Sequence, residues 1–165
     1  MGIHGEKKKP FLAWYAMLQA NTRLTERINA EMEAEAGIPL SWFEALATLS
    51  WAPETCARMG ALADDLLLSR GGATRLIARM EEAGLVRREV PPHDRRATYA
   101  HLTEKGQAAL ERALPLHMAK VDEYFQQHLT DDEIEVLSRA MAKVLRGLGA
   151  DVGWLLEDLE AAAPQ

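Results

Sequence analysis

A mainly α-helical fold carrying one small β-wing is predicted by three observations. Long stretches repeat apolar residues at helical spacing, stop signals rich in Pro and Gly separate them, and only one pair of short β-type runs occurs. A first helix is expected over 11–36, with Trp14, Met17, Leu18, Leu24, Ile28 and Met32 in phase, ending at Gly37-Ile38-Pro39. A second opens at Ser41, where Glu44 three residues on suggests a capping box, and runs to about Leu49. Two short helical segments follow, over 59–67 and 69–83. Val86–Val90 and Thr98–Leu102 then read as strands flanking the charged, Pro-rich tip 91–97. A fifth helix over 103–128 contains Pro115, which should bend it. A sixth starts at the box Thr130–Glu133, with Leu129 and Ile134 placed as a hydrophobic staple, and a short helical tail is expected around 154–159.

At 165 residues the chain suits a single domain able to bury a core without staples. Residues 41–102 form its central lobe, flanked by the helices of 11–36 and 103–160. These outer helices carry more apolar surface than the centre can cover. They either pack on each other within one chain or intertwine with a second copy. One cysteine, Cys56, precludes an internal disulfide and a cysteine-based zinc cluster, which suits a reducing cytoplasm. No apolar run reaches the roughly 18–20 residues of a membrane span, so no membrane role is expected. The Lys7-Lys8-Lys9 run reads as a mobile solvated tail, with phosphate contact the alternative.

Net charge is −6, yet its distribution is uneven. Between Arg58 and His101 stand eight arginines against six acids, a local +2 that leaves −8 for the remainder. Phosphate neutralisation depends on the local field, so a basic centre in an acidic body is compatible with nucleic acid. In segment 69–83, Ala73, Leu76, Ile77 and Met80 recur at i, i+3, i+4 and i+7 and define a buried side. The opposite side presents Arg70, Gly71, Thr74, Arg75, Ala78 and Arg79, behind a Ser69 placed as N-cap. Small, hydroxylic and guanidinium groups suit a major groove, where Arg meets guanine bidentately and Thr meets a thymine methyl. An isolated helix of this kind would read as a solvated surface. The preceding short helix and the following strand pair make it a winged helix-turn-helix instead. Arg95 and Arg96 at the wing tip suit a minor groove, and Asp94 could hold Arg96 by a bidentate salt bridge. The plainer reading has the wing only closing the sheet, with Asp94 as a turn former.

The stretch 62–106 resembles the DNA-binding core of the multiple antibiotic resistance regulator (MarR) family. The residues that carry the likeness are Leu85-Val86-Arg87-Arg88, Asp94-Arg95-Arg96 and Leu102-Thr103-Glu104-Lys105-Gly106. The helix order extends it over roughly 11–148. The resemblance implies an obligate homodimer with interlocked outer helices. Each subunit would place its 69–83 helix in successive major grooves of a pseudo-palindromic double-stranded DNA operator, with half-sites roughly 34–36 Å apart. It also implies Arg96 in the minor groove, oriented by Asp94. A small aromatic or phenolic effector would bind between the dimer helices and the DNA-binding lobe, making the protein a ligand-responsive repressor.

Trp14, Met17, Trp42, Leu46 and His117 could line such a pocket, although an aromatic and Met stripe is more often plain core. His117 reads otherwise as a hydrogen-bonded interface histidine. Cys56 precedes the third helix, whereas the reactive cysteine of the family's peroxide sensors lies in the first, so that role does not carry over. No phosphate loop, metal motif or nucleophile elbow is present, and the lone cysteine lacks a local base in the sequence. No enzyme activity and no cofactor are therefore expected. The acidic total leaves one rival, a winged-helix dimer that binds a protein partner instead of DNA. An activator or a constitutive regulator is the alternative within DNA binding.

Overall fold

The computed structural model describes residues 8–92, 94 and 96–153. Lys7, Arg95 and the tail expected around 154–159 lie outside the described residues. The chain divides into two compact units, Met1–Lys120 and Val121–Gln165.

In the first unit, α1 (Lys8–Glu31) continues into a wider π-helical turn, Met32–Ala36, that stops at Gly37 with φ of 71°. Glycine takes that left-handed conformation without a Cβ penalty, which is why the helix ends there. The next helix, α2 (Leu40–Trp51), does not begin with the expected Ser41–Glu44 box. Pro39 is its N-cap, at φ −61° and ψ 151°, and its carbonyl accepts from the N–H groups of Trp42 and Phe43 at 3.0 and 3.1 Å. The free N–H of Leu40 donates to Asn29 Oδ1 of α1 at 2.9 Å. Ser41 already lies inside the first turn, so a side chain from another helix supplies the cap.

A third strand follows that the sequence did not suggest. β1 (Cys56–Arg58) precedes α3 (Met59–Asp65), which turns over 66–69 into α4 (Arg70–Glu82). The wing consists of β2 (Val86–Glu89) and β3 (Tyr99–Leu102). Strand order is β1-β3-β2, antiparallel throughout, with Cys56 opposite His101 and Arg87 opposite His101 from the other side. Cys56, which precedes the third helix as expected, therefore sits in an edge strand. Met59 N–H donates to Thr98 O at 2.9 Å, tying the start of α3 to the base of the wing.

The core of this lobe is made by Met32, Leu46, Leu49, Leu62, Ile77, Met80 and Val86, all essentially without exposed surface. Strand alternation places Val86 and Arg88 on the same face of β2. Arg88 thereby meets Glu81 of α4: its backbone N–H and its Nε each donate to that carboxylate at 2.7 Å. These bonds hold the Glu81 carboxyl below its ordinary pKa, and they lock the last turn of α4 to the wing.

The helix α5 (Glu104–Tyr124) starts on a dense joint. Thr103 Oγ1 lies 2.8 Å from Gly84 O and accepts from Gly106 N–H at 3.0 Å, while Lys105 Nζ donates to Ala83 O at 2.7 Å. α5 runs through Pro115 without ending there. The second unit contains the end of α5, a 3₁₀ turn at Gln126–His128, and α6 (Asp131–Gly147). The Thr130–Glu133 capping box forms as expected.

Candidate nucleic-acid interface

The predicted sides of α4 are the observed ones, except that Ala78, expected outward, is half-buried. Ala73, Ile77 and Met80 have no exposed surface and Leu76 is half-buried, whereas Arg70, Gly71, Thr74, Arg75 and Arg79 are turned outward on the opposite side, with Arg79 lying against α2. Ser69 is the N-cap, its Oγ accepting from Gly72 N–H at 3.1 Å. A Cβ on Gly72 would stand 3.2 Å from that oxygen, so the glycine leaves the cap its room.

At roughly 100° per residue, the exposed Gly71 marks the middle of the outward side. Thr74 and Arg75 flank that midline closely, while Arg70 and Arg79 each stand about a quarter turn away, at opposite edges. Arg75 Nη1 lies 3.7 Å from where a Cβ on Gly71 would be, so its guanidinium folds over the open centre. Thr74 Oγ1 donates to Arg70 O at 2.8 Å. With its proton committed, Thr74 offers a methyl group and acceptor lone pairs outward.

At one edge, Arg70 and Thr74 share a cleft of about 560 Å³ with Arg58, Asp64, Arg96 and Thr98. Three arginines, from β1, α4 and the wing base, thus line one recess. Arg58 belongs to the basic centre counted in the sequence but was not singled out there. Its signal was its place immediately before the third helix, and only the Met59–Thr98 bond shows why that place lies beside Arg96. At the opposite edge, Arg79 Cζ lies 6.0 Å from the ring centroid of Trp42 on α2. Among the described residues no carboxylate pairs with Arg58, Arg70, Arg75, Arg79 or Arg96, whereas Arg87 and Arg88 are paired with Glu89 and Glu81.

Asp94 acts differently from the expected salt bridge. Its Oδ1 accepts from the backbone N–H of Arg96 at 3.0 Å, inside a turn that also bonds Ala97 N–H to Asp94 O at 3.1 Å. A carboxylate two residues upstream in a turn reaches that N–H most directly. Among the described residues the Arg96 guanidinium pairs with no carboxylate, and the turn-forming reading of Asp94 is the observed one.

The suggested pocket residues fall into different settings. Leu46 is wholly buried, Trp14 is exposed, Met17 and Trp42 are half-buried, and Trp42 is engaged by Arg79. His117 packs its ring on Phe43 of α2, with centroids 4.3 Å apart. Its Nδ1 is buried and, among the described residues, has no hydrogen-bond partner within the chain. Burial pushes its pKa below the ordinary 6.5. The unfolded chain takes up a proton that the folded one resists. The stability tied to the neutral ring is therefore full above that value and is lost as pH falls below it. Melting temperature should drop between about pH 7.5 and about pH 5.5, and His117→Phe should flatten that drop.

Cys56 does have an imidazole beside it, since its Sγ lies 3.6 Å from His101 Nε2, which is 3.4 Å from Glu89 Oε2. The cross-strand pairing that joins residues 56 and 101 was invisible without β1. Burial, with Glu54 and Glu89 nearby, pushes the thiol pKa up against the opposing pull of Arg87, so the arrangement does not favour a thiolate.

Comparison with known proteins places this geometry. The MarR family profile matches residues 36–97. A MarR family transcriptional regulator from Streptomyces coelicolor, AbsC, superposes with a TM-score of 0.77 and 31% identity, over 89% of this chain and 99% of that one. The chain belongs to the MarR family. A second Streptomyces coelicolor member, solved in complex with DNA, superposes with a TM-score of 0.80 at 29% identity, over 88% and 94% of the two chains. The HTH-type transcriptional regulator MhqR of Bacillus subtilis is 35% identical over 89 residues, 54% of this MarR-family chain. That match spans 59% of MhqR's own length. No helix among the described residues is long and apolar enough to cross a membrane.

Proposed function

We propose that this MarR-family chain binds a pseudo-palindromic operator in duplex DNA as a homodimer and represses transcription until a small aromatic or phenolic effector releases it. The observation that carries the DNA reading is the exposed side of α4, continuous with Arg58 and Arg96, whose arginines form no ion pair among the described residues although Asp64 lines the same cleft. Paired arginines would have to break ion pairs to reach phosphate, and these do not.

Thr74 and Arg75 on the midline are the base readers in this proposal, through a thymine methyl and a guanine edge. Arg58, Arg70 and Arg96 meet phosphates or the minor groove, joined by Arg95, the sequence neighbour of Arg96. Two uncovered apolar faces support the homodimer, Phe11, Trp14, Tyr15 and Leu18 on α1 and, separately, Val136, Leu137 and Val144 on α6 with its C-cap Leu148. The effector would act by binding one of two dimer states better than the other.

Selection of bound sequences from a random duplex pool tests the reading. A two-fold symmetric motif is expected, with half-site centres about one helical turn apart. On the selected duplex, Arg96→Ala should weaken binding and lower the log–log salt slope by about one. Enrichment of no sequence, by a protein that remains folded, would overturn it.

A further inference from the structure

We propose that Trp42 is a positioning residue for DNA binding. Its indole carries the guanidinium of Arg79 and aims it at the DNA backbone along the groove edge. The inference rests on the DNA reading above and deepens it, assigning a task to a residue on a helix outside the DNA-facing motif.

The geometry is a cation over an aromatic face, Arg79 Cζ standing 6.0 Å from the Trp42 centroid. A guanidinium laid against an aromatic ring keeps its N–H fork available at its edges, where a phosphate oxygen can accept two hydrogen bonds. No carboxylate among the described residues competes for it. Arg79 also stands about a quarter turn from the midline of α4. From there its side chain meets the wall of the groove, not the base edges that Thr74 and Arg75 face.

The indole is itself held in place. Trp42 lies in the first turn of α2, where Asn29 of α1 fixes the N–H of Leu40 and the Pro39 carbonyl accepts the N–H of Trp42 itself. The next residue, Phe43, is buried and packs against His117 of α5, the two rings tilted by 31°. A rotamer-rich arginine confined by so anchored a ring loses less freedom when it meets DNA, and that difference appears as affinity. Adjacent residues of one turn thus face α4 and α5, so a shift of α2 against either helix would move Arg79.

A double-mutant cycle on the selected duplex tests this, read by fluorescence anisotropy over a salt series. Arg79→Ala should lower affinity and reduce the salt slope by about one, with base preferences unchanged. Trp42→Leu should cost about two- to fivefold in affinity, the size of an exposed cation–π contact, while Trp42→Phe retains most of it. In the Arg79→Ala background, Trp42→Leu should cost nothing further. Multiplying losses, or equal losses for Trp42→Phe and Trp42→Leu, would overturn the proposal. So would a changed base preference in Arg79→Ala. If Trp42→Leu lowers the melting temperature, Arg79→Lys takes its place, keeping the charge but not the planar stack. It should lose about two- to fivefold, and full retention of affinity overturns the proposal. If the unmodified protein selects no duplex at all, the failure belongs to the DNA reading; if it selects one and the cycle is additive, the failure belongs to Trp42.

Discussion

Replacing Gly106 with alanine will cost about 3 kcal/mol of stability, a fall of roughly 6–12 °C in melting temperature. A Cβ at this position would stand 2.1 Å from Leu85 O and 2.8 Å from Leu102 Cδ1. The carbonyl is backbone and cannot swing aside as the end of a flexible side chain does. Leu85 O also lies 2.9 Å from Thr103 Oγ1 and accepts from Thr103 N–H at 3.2 Å, so any shift that admits a methyl group loosens the start of α5. Thermal melting of Gly106→Ala against Ala108→Gly, two residues on and only half-buried, separates close packing from helix propensity. Alanine at 106 gains about 1 kcal/mol of propensity, so any net loss is packing. Unchanged melting would show that the joint yields.

Arg75→Ala is expected to weaken operator binding by about 1–3 kcal/mol, between about fivefold and 150-fold, and to relax base preference at one position in each half-site. Arg75 lies close to the midline of α4 with its guanidinium folded over Gly71, where no side chain blocks the approach of a base edge. It is exposed and unpaired among the described residues, so its removal should leave the melting temperature nearly unchanged. Repeating the sequence selection with the variant measures the relaxed position directly. A uniform loss across all sequences would make Arg75 a phosphate contact, and the midline assignment would fail.

Both variants lie within stretches legible in the amino-acid sequence, the 69–83 segment and the 102–106 run. Their outcomes nevertheless rest on different kinds of information. The buried side of α4 follows from spacing, and so do the Ser69 cap and the Thr130–Glu133 box, because a helix brings residues three and four apart together regardless of what surrounds it. The strand pair of the wing was equally local, two runs separated by one tip. The basic centre could be counted directly. Where a local signal failed, a distant or nearer partner had replaced the expected one. Ser41 and Glu44 had the spacing of a box, but Pro39 and Asn29 cap α2. Asp94 had the spacing of an arginine partner, but the turn offered its carboxylate a nearer N–H.

By itself, then, the chain determined which segments are helices, which side of the central helix faces inward, and that a basic lobe sits within an acidic whole. Only the tertiary structure decided the rest. It added β1, three residues with no periodicity of their own that become a strand because β3 offers them an edge. It set His101 beside Cys56, gathered Arg58, Arg70 and Arg96 around one cleft, and laid Arg79 over Trp42. The physical reason is range. A hydrogen bond within one helical turn is specified by neighbouring residues, whereas these contacts join residues far apart in sequence and exist only once the core of Leu46, Leu62, Ile77 and Met80 has closed.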